Sequence, residues 1–506
     1  MSPPLTDTSK ALDLEAHDDQ RPVAPTGRLV PMIIGSALFM QTLDATIISN
    51  ALPTMARSLH EDPLTLNLAI TSYLLASAVF LPISGWVADR FGAKLVFRLA
   101  IVLFAFSSLL CGISQSLPEL VAARMLQGMA GAMMTPVGRL VLLRSVPKHD
   151  LVRAMSYLTM PAMLGPVLGP VVGGFIVTHA SWRWIFFINI PMGILGVALV
   201  SLFIRNIREE TTTPLDWRGF ILTGFGLAGV VYGFDNLGRG ALPFSVVAGL
   251  LVGGAVCLVI YGFHAKRTAH AILDLSVLRI QTFTASVVGG AFMRMGMGAL
   301  PFLLAMLLQM GFGMNAQTAG LLTFTSAAGA LLMKTTARPI ISWFGFKRVL
   351  IGNQVITGVI LMGYALFNIT TPHVLIIATL LFGGFFRSLQ FTALNTLAFA
   401  DIRQDQMSRA SSLSSMGQQL SQSIGIGLAA MLLSSLRAMH GSTSALRAAD
   451  VSPAFAIIGA ISLLGLFYFI PLPRDAGAEV SGHRQRSAAQ SREPEPTLPA
   501  GVEPAE

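Results

Sequence analysis

Long apolar stretches alternate with short polar connections along almost the whole chain. Fourteen of these stretches reach the length of about 20 residues that a helix needs to cross about 30 Å of hydrocarbon. They lie at residues 28–50, 66–88, 95–114, 119–140, 152–178, 184–205, 216–235, 245–263, 282–308, 317–337, 348–367, 373–396, 412–436 and 453–471. The pattern predicts an all-α integral membrane protein with fourteen transmembrane helices.

The composition agrees with this prediction and argues against the main soluble classes. Of the 506 residues, 53% are apolar and only 12% are Asp, Glu, Lys or Arg, which is about half the charged fraction of a soluble globular protein. Too few charges remain to give several soluble domains a polar surface. Residues 1–27 and 474–506 are rich in Pro, Ser, Ala and acidic residues, so we predict that both are disordered tails.

The positive charges are distributed unevenly between the two sides of the predicted topology. With fourteen spans both termini lie on one side, where the loops hold 19 Lys and Arg residues, Arg139 and Lys334 among them, against 5 in the opposite loops. The positive-inside rule then places both tails in the cytoplasm, and we expect the protein to reside in the inner (cytoplasmic) membrane. Orientation therefore explains the net charge of +9, and no nucleic-acid partner is predicted.

One internal repeat divides the chain into two halves. The segment Phe91-Gly92-Ala93-Lys94 recurs as Phe344-Gly345-Phe346-Lys347, after eight spans rather than the six expected of two adjacent six-helix units. We therefore predict an N-terminal six-helix bundle at 28–205, a linker with two extra transmembrane helices at 206–270 and a C-terminal six-helix bundle at 271–473. Repeats of this kind are typical of secondary transporters, whose binding site lies between the halves.

Four motifs follow one another along the first half. They are Leu43-Asp44-Ala45-Thr46-Ile47 in the first span, Gly85-Trp86-Val87-Ala88-Asp89-Arg90-Phe91-Gly92-Ala93-Lys94 after the second, Arg124-Met125-Leu126-Gln127-Gly128 in the fourth, and Gly165-Pro166-Val167-Leu168-Gly169-Pro170 with Gly173-Gly174 in the fifth. Together they resemble the signature motifs of the major facilitator superfamily, and in particular of its fourteen-helix drug:proton antiporters, the EmrB/QacA branch. The resemblance implies the major facilitator fold.

The resemblance also implies a function. A protein of this branch exports amphiphilic small molecules or drugs in exchange for protons, by alternating access, with the lipid bilayer, the substrate and protons as its partners. No cofactor is expected besides the coupling proton, and a periplasmic adaptor is left open. The alternative is a proton-coupled importer or exporter of a specific metabolite on the same fold.

Catalysis and metal binding are not predicted. The sequence contains no HExxH, GxSxG or GxxxxGK[ST] motif, which argues against a metalloprotease, a serine hydrolase and a self-contained ATP-driven pump. The two cysteines, Cys111 and Cys257, lie in apolar stretches, so we predict neither a disulfide framework nor a thiolate metal site.

Asp44 is the one carboxylate that the predicted boundaries place deep inside a span. An intramembrane acid is costly and is functional by default. Such an acid can carry a proton, because apolar surroundings favour the neutral form and a nearby cation favours the ionised form. Arg124 is the candidate cation, since both residues lie about 8–9 Å from the outer surface at about 1.5 Å per residue. We predict a proton-coupling site; the alternative is a structural ion pair that locks the bundle.

Two of the motifs are associated with moving parts. The resemblance implies that the gating loop, formed by Gly85, Asp89, Arg90, Gly92 and Lys94, holds its acid against the start of the thirteenth span when the inner gate is closed. That span begins near Ser411 and Ser412, which are good N-capping residues. In the second copy of the loop Ser342 stands in place of the acid, so that copy should lack the charge.

The antiporter motif places small residues on one face of the fifth span. Gly165, Gly169 and Gly173 recur every four residues, and Pro166, Pro170 and Gly174 lie beside them. Small residues let two membrane helices approach closely. Packing glycines are expected in any case, and the resemblance adds that this face moves during alternating access.

Six polar residues within spans are candidates for the substrate cavity. They are Gln127, Arg294, Arg387, Ser415, Gln418 and Gln422. Those in the thirteenth span share one helix face, which either lines a wet cavity or bonds to a neighbouring helix. Arg294 and Arg387 have no acid at comparable depth in the second half, so their charge is compensated either by an anionic group of the substrate or by backbone carbonyls. The first reading predicts that acidic amphiphiles are preferred over lipophilic cations.

Overall fold

The computed structural model describes residues 28–61, 68–204, 214–237, 242–268, 270–314, 316–439 and 448–481, and all regular structure within these ranges is helical. Fourteen long helices coincide with the fourteen predicted spans. They are α1 (Leu29–Leu59), α2 (Leu68–Phe91), α3 (Ala93–Ile113), α4 (Leu117–Ser145), α5 (Leu151–His179), α6 (Trp184–Phe203), α7 (Trp217–Asn236), α8 (Phe244–Arg267), α9 (Gln281–Gly311), α10 (316–344), α11 (346–363), α12 (His373–Leu397), α13 (Met407–Met439) and α14 (Ala448–Leu463).

Ten stretches of the described chain are long and apolar enough to cross a membrane, and one of them contains both α10 and α11. The other three helices, α4, α5 and α7, are not among these ten stretches, but their 29, 29 and 20 residues are long enough to span the hydrocarbon. Several helices also extend beyond the predicted boundaries. For example, α1 continues to Leu59 rather than to residue 50, because a helix can project from the membrane after its apolar stretch has ended.

The same pattern of helix contacts occurs twice. In the first half α1 packs on α5, α4 packs on both α2 and α3, and α3 packs on α6. In the second half α9 packs on α13, α12 packs on both α10 and α11, and α11 packs on α14. Adding eight to each helix number of the first set gives the second. The fold is therefore two six-helix bundles with α7 and α8 inserted between them in the sequence.

The two copies of the short repeat adopt the same backbone turn. Gly92 between α2 and α3 has φ 91°, and Gly345 between α10 and α11 has φ 74°. A positive φ is unfavourable for residues with a Cβ, so glycine is required at both turns. We refer to the end of the molecule that holds these two turns as the basic end.

The inserted helices lie against the line where the two bundles meet. Helix α7 packs on α8, on α2 and on α13. A Cβ on Gly224 of α7 would lie 3.0 Å from the backbone oxygen of Val79 in α2, and one on Gly427 of α13 would lie 2.7 Å from that of Phe234 in α7. Glycine thus lets α7 contact both bundles closely, whereas α8 is only 17% buried and faces outward.

The structure corrects two assignments of charge to loops. Arg139 is buried within α4 and Lys334 is buried within α10, so neither belongs to the loops at the basic end. The positive-inside pattern does not depend on these two cations, because 17 Lys and Arg residues remain on the side of the termini against 5 on the opposite side.

The predicted C-terminal tail begins with a packed segment. Ala476 and Val480 are buried, and Gly477 contacts Phe346 and Leu397 at the basic end. Residues 1–27 and 482–506, the rest of the two predicted tails, lie outside the described residues.

Candidate functional site

Asp44 of α1 and Arg124 of α4 form a buried ion pair. Arg124 Nη1 donates to Asp44 Oδ2 at 2.6 Å, and Asp44 and Arg124 are 1% and 0% exposed. The guanidinium also donates through Nε to the Ala69 carbonyl at 3.1 Å and lies over the Tyr73 ring, 4.6 Å from its centre. Because the contacts come from α2 as well as α1, Arg124 holds three helices of the first bundle together.

Two amides complete the surroundings of the carboxylate. Gln127 Nε2 donates to Asp44 Oδ1 at 3.0 Å, and Asn189 Nδ2 of α6 donates to the same oxygen at 2.7 Å. Both amides also donate to Ser108 Oγ of α3, at 2.6 and 3.2 Å. Arg124 and Gln127 are three residues apart and therefore share one face of α4. The ionised form of Asp44 is thus bound by three donors from two helices.

Asn189 is a site residue that the sequence reasoning missed. Its sequence signal is an amide inside the apolar run Phe186-Phe187-Ile188-Asn189-Ile190, but nothing in that run says which helix it faces. The helix itself is longer than predicted: α1 continues to Leu59, so Asp44 lies at the middle of the helix, although the apolar membrane-crossing stretch still ends near Ile48.

A cavity of about 1030 Å³ lies between the two bundles. It is lined by α1, α4 and α5 of the first bundle and by α9, α10, α12 and α13 of the second, mostly with apolar side chains. Among the lining residues only Arg139 and Arg387 are charged. Arg139 contacts Ser414 Oγ at 3.3 Å and the Gln418 side chain, and Arg387 donates to Ser326 Oγ.

The candidate cavity residues divide into two groups. Arg387 and Gln418 line the cavity, whereas Gln127, Arg294, Ser415 and Gln422 do not. Gln127 belongs instead to the Asp44 site, and Gln422 packs through its backbone on Gly298 of α9. Ser415 is buried away from the cavity. Of Ser415, Gln418 and Gln422 on the polar face of α13, only Gln418 therefore lines the cavity.

Arg294 is bound by backbone carbonyls, which is one of the two predicted alternatives. Its Nη1 donates to the carbonyls of Ser286 at 3.0 Å and Val287 at 3.4 Å. These carbonyls belong to a π-helical turn at Ala285–Gly289, and a π turn displaces its carbonyls from the regular α-helical pattern. The side chain is completely buried in the second bundle.

The two bundles meet at the basic end through α2 and α13. Asp89 accepts from Ser408 Oγ with one carboxylate oxygen and from Arg144 Nη2 with the other, at 3.1 Å. Helix α13 begins at Met407, five residues earlier than predicted, so the partner of Asp89 is Ser408 and not Ser411 or Ser412. Those two serines make other contacts between the bundles.

Further contacts bring the bundles close together around Asp89. Ser412 Oγ lies 2.9 Å from Ser84 Oγ, and Ser411 Oγ donates to the Pro136 carbonyl at 2.9 Å. At Gly85 a Cβ would lie only 2.9 Å from the Ser408 carbonyl oxygen. A larger residue than glycine would therefore push α2 away from α13.

The remaining residues of the gating loop stay within the first bundle. Lys94 Nζ donates to the Ser201 carbonyl of α6 at 2.9 Å, Arg90 is exposed, and Gly92 forms the turn between α2 and α3.

On the opposite side of the basic end, Arg338 of α10 pairs with Asp150 before α5 at 3.1 Å. Ser342 occupies, in the second copy of the loop, the position of Asp89 in the first, and its hydroxyl donates to the Pro339 carbonyl of its own helix.

The glycine motif of α5 packs on α1 within one bundle. A Cβ on Gly165 would lie 2.7 Å from the Leu43 backbone nitrogen, and one on Gly173 would lie 2.8 Å from the Ile47 carbonyl oxygen. Gly169 contacts Thr46, whereas Gly174 has nothing within 4 Å. Pro166 and Pro170 lie within α5, but their side chains are outside the described set. The motif therefore sets how closely α5 approaches the helix that carries Asp44.

Comparison with known proteins identifies the family. The family model of the Major Facilitator Superfamily matches residues 34–425 and, in a second match, 286–501. The chain belongs to the major facilitator superfamily. The sequence-based prediction of this family and of its all-α membrane fold is confirmed, and the chain is a multi-pass membrane transporter.

Curated superfamily members resemble the chain over most of its length. The protein named "Putative multidrug resistance protein MdtD" from Escherichia coli is 37% identical over 460 residues, covering 90% of this chain and 97% of that one. Proteins of the same name are 40% identical in Salmonella paratyphi A, covering 81% and 87%, and 39% identical in Yersinia enterocolitica, covering 79% and 85%.

Solved superfamily structures share the fold at low sequence identity. The human organic anion transporter MFSD10 superposes with a TM-score of 0.61 at 15% identity, over 88% of this chain and 100% of that one. The proton:xylose symporter XylE gives a TM-score of 0.61 at 14% identity, over 90% and 98%. These similarities support the fold alone.

Proposed function

We propose that the protein is a proton-coupled antiporter that exports amphiphilic small molecules, drugs among them, across the inner membrane by alternating access. The observation that carries the proposal is the buried Asp44–Arg124 pair. Asp44 is a carboxylate completely enclosed in the first bundle, and its helix also lines the cavity between the bundles. Proton binding and substrate binding can therefore act on the same helix.

Protonation of Asp44 would change the forces on α1. The ionised carboxylate accepts from Arg124, Gln127 and Asn189, and a neutral acid would attract Arg124 much less. The position of α1 relative to α4 and α6 then depends on whether the proton is bound. A bound proton can shift the equilibrium between two conformations only by its different affinity for each, so the proposal requires this network to be rearranged in the second conformation.

The shape of the molecule supports alternating access. The positive-inside rule assigns the basic end to the cytoplasm, and at this end α2 contacts α13 through Asp89 and Ser408. The cavity between the bundles lies beyond these contacts. The arrangement corresponds to a state with the cytoplasmic gate closed, and opening that gate requires the Asp89 contacts to break.

The cavity suits amphiphilic substrates. A volume of about 1030 Å³ is at the upper end of the about 300–1,000 Å³ of small-molecule pockets. Met155, Met163 and Met297 are among its walls, and methionine adapts to ligands of different shape. The name of the curated relatives, multidrug resistance protein, agrees with this proposal.

Transport into proteoliposomes with an imposed pH gradient tests the proposal. Tetraphenylphosphonium, chloramphenicol and anilinonaphthalene sulfonate serve as cationic, neutral and anionic probes, with the membrane potential clamped. We expect at least one probe to move against its gradient in the direction opposite to the proton. The variant Asp44→Asn should lose this uphill movement but keep exchange of labelled for unlabelled probe.

The variant Asp405→Asn is the matched control, because Asp405 is an exposed acid paired with Arg403. It should transport as the wild type does. Normal uphill accumulation by Asp44→Asn would refute the role of Asp44. Movement of a solute in the same direction as the proton would instead support the importer reading, in which the protein takes up a specific metabolite.

A further inference from the structure

Lys334 of α10 carries a buried amine. Its side chain is 6% exposed, and its Nζ donates to Thr392 Oγ1 of α12 at 2.7 Å. The Thr392 hydroxyl in turn donates to the Ser388 carbonyl at 2.9 Å. Among the residues described, no carboxylate pairs with this amine. A buried ammonium without a partner is costly, so such a lysine either releases its proton or binds an anion.

Lys334 lies one helical turn from the lining of the central cavity. Ala330, one helical turn before Lys334, and Ser388, one turn before Thr392, both line the cavity and are joined by a hydrogen bond of 2.9 Å. Side chains of an α-helix lean toward its N-terminal end. For α10 that is the end on which Ala330 lies, so the Lys334 side chain leans toward the level of the cavity, although neither Lys334 nor its partner Thr392 is among the lining residues.

Lys334 differs in chemistry from the other cations nearby. Arg139 and Arg387 line the cavity but are bonded to Ser414 and Ser326, and they keep their protons under all ordinary conditions. Lysine is the cationic side chain that readily gains and loses a proton in a buried site. Among the basic side chains described in or next to the cavity, Lys334 is thus the one whose charge can change during a transport cycle.

The charged groups on the helices packed against Lys334 are engaged elsewhere. On α10 itself Arg338 lies one turn away and pairs with Asp150, which precedes α5. On α12 Arg387 lies between Lys334 and the far end of the cavity and is bonded to Ser326. Both cations therefore have their own hydrogen-bond or ion-pair partners, and neither is bonded to the lysine amine.

We propose that Lys334 binds the acidic group of an organic anion in the cavity and takes up one proton from solvent as that anion binds. The proton adds to the lone pair of the neutral amine, and the anion stays ionised, so the anion and the new ammonium enter the apolar site as a neutral pair. The amine keeps its bond to Thr392 in both states, since it has N–H donors with or without the extra proton. The proposal rests on the transport function above and assigns a substrate class to the same cavity.

Equilibrium binding to two closely related probes tests this role. Anilinonaphthalene sulfonate carries a sulfonate that stays ionised over the useful pH range, and N-phenylnaphthylamine has the same ring framework without it. Titration calorimetry of the full chain in nanodiscs of neutral lipid, at mildly alkaline pH and in buffers of different ionisation enthalpy, measures both affinity and proton uptake. Empty nanodiscs give the correction for partition into lipid.

We expect the wild type to take up protons with the sulfonate probe and not with the neutral probe. Lys334→Gln should bind the sulfonate about tenfold more weakly, because a charge-assisted contact is lost, should take up no proton and should bind the neutral probe normally. Lys334→Arg should bind the sulfonate without proton uptake. Lys266→Gln, the same substitution at an exposed lysine, should behave as the wild type.

Three results would overturn the proposal. They are undiminished proton uptake in Lys334→Gln, an equal loss of affinity for both probes in that variant, and no saturable sulfonate binding above that of empty nanodiscs. The measurement needs no transport, so it is independent of the accumulation assay that tests Asp44. If the calorimetric test succeeds and the accumulation assay fails, or the reverse, the proposed substrate class and the proposed coupling mechanism are judged separately.

Discussion

Thr42 and Asp44 lie on opposite faces of α1. Thr42 lines the cavity between the bundles and donates to the Ala162 carbonyl of α5 at 2.9 Å, whereas Asp44 faces α4 and α6 and pairs with Arg124. Two residues along an α-helix turn the side chain by about 200°. The acid is therefore sealed from the cavity, and any coupling between proton and substrate must pass through movement of α1 and not through direct contact.

The ion pair at this site should be strongly coupled. We expect Arg124→Gln alone to lower the free energy of unfolding by about 3–5 kcal/mol, because it leaves a buried charge without its partner. The double variant Asp44→Asn with Arg124→Gln should recover much of this loss, since it removes both charges. Thermal unfolding of the purified variants measures the coupling in a double-mutant cycle; additive losses would show that the two charges do not depend on each other.

The contacts of Asp89 should determine the population of the state with a closed basic end. Asp89→Asn weakens the bonds to Ser408 and Arg144, and we expect longer distances between spin labels placed on α2 and α13 at that end, together with slower turnover. Double electron–electron resonance measures the distances. Asp405→Asn is again the control, and a distance distribution unchanged from the wild type would show that Asp89 does not hold the gate.

The glycine motif of α5 should tolerate a methyl group at one position and not at another. Gly165→Ala places a Cβ against the α1 backbone, while Gly174→Ala places one in open space. We expect Gly165→Ala to lower both the unfolding temperature and transport, because α5 and α1 must separate. Gly174→Ala should leave both unchanged or raise stability by up to about 1 kcal/mol through helix propensity. Equal behaviour of the two variants would contradict the close packing.

The two embedded arginines of the second bundle should respond differently to the same substitution. Arg387 lines the cavity, whereas Arg294 is bonded to the carbonyls of Ser286 and Val287. We expect Arg387→Gln to weaken binding of the sulfonate probe more than that of its neutral counterpart. Arg294→Gln should change stability and affect both probes alike. Calorimetry and thermal unfolding of the two purified variants distinguish these outcomes. If Arg294→Gln weakened binding of the sulfonate probe selectively and Arg387→Gln did not, Arg294 and not Arg387 would be the arginine that contacts the substrate.

Several features of this protein follow from the sequence because they depend on neighbouring residues. Apolar length predicts each membrane span, and the recurrence of residues 91–94 at 344–347 predicts that the chain has two related halves. The motif around Asp44 and the motif around Arg124 each identify a residue without reference to the rest of the chain. The superfamily and the fourteen-helix fold could be predicted on this basis.

Other features depend on the rotation of each helix and on its partners, which no local pattern contains. Asn189 joins the Asp44 site, Gln127 leaves the cavity for that site, and Lys334 lies between α10 and α12 rather than in a loop. In a membrane, apolar residues cover the lipid-facing and the protein-facing sides of a helix alike. The sequence by itself therefore determined which segments cross the membrane, and only the tertiary structure decided which polar residues meet inside it.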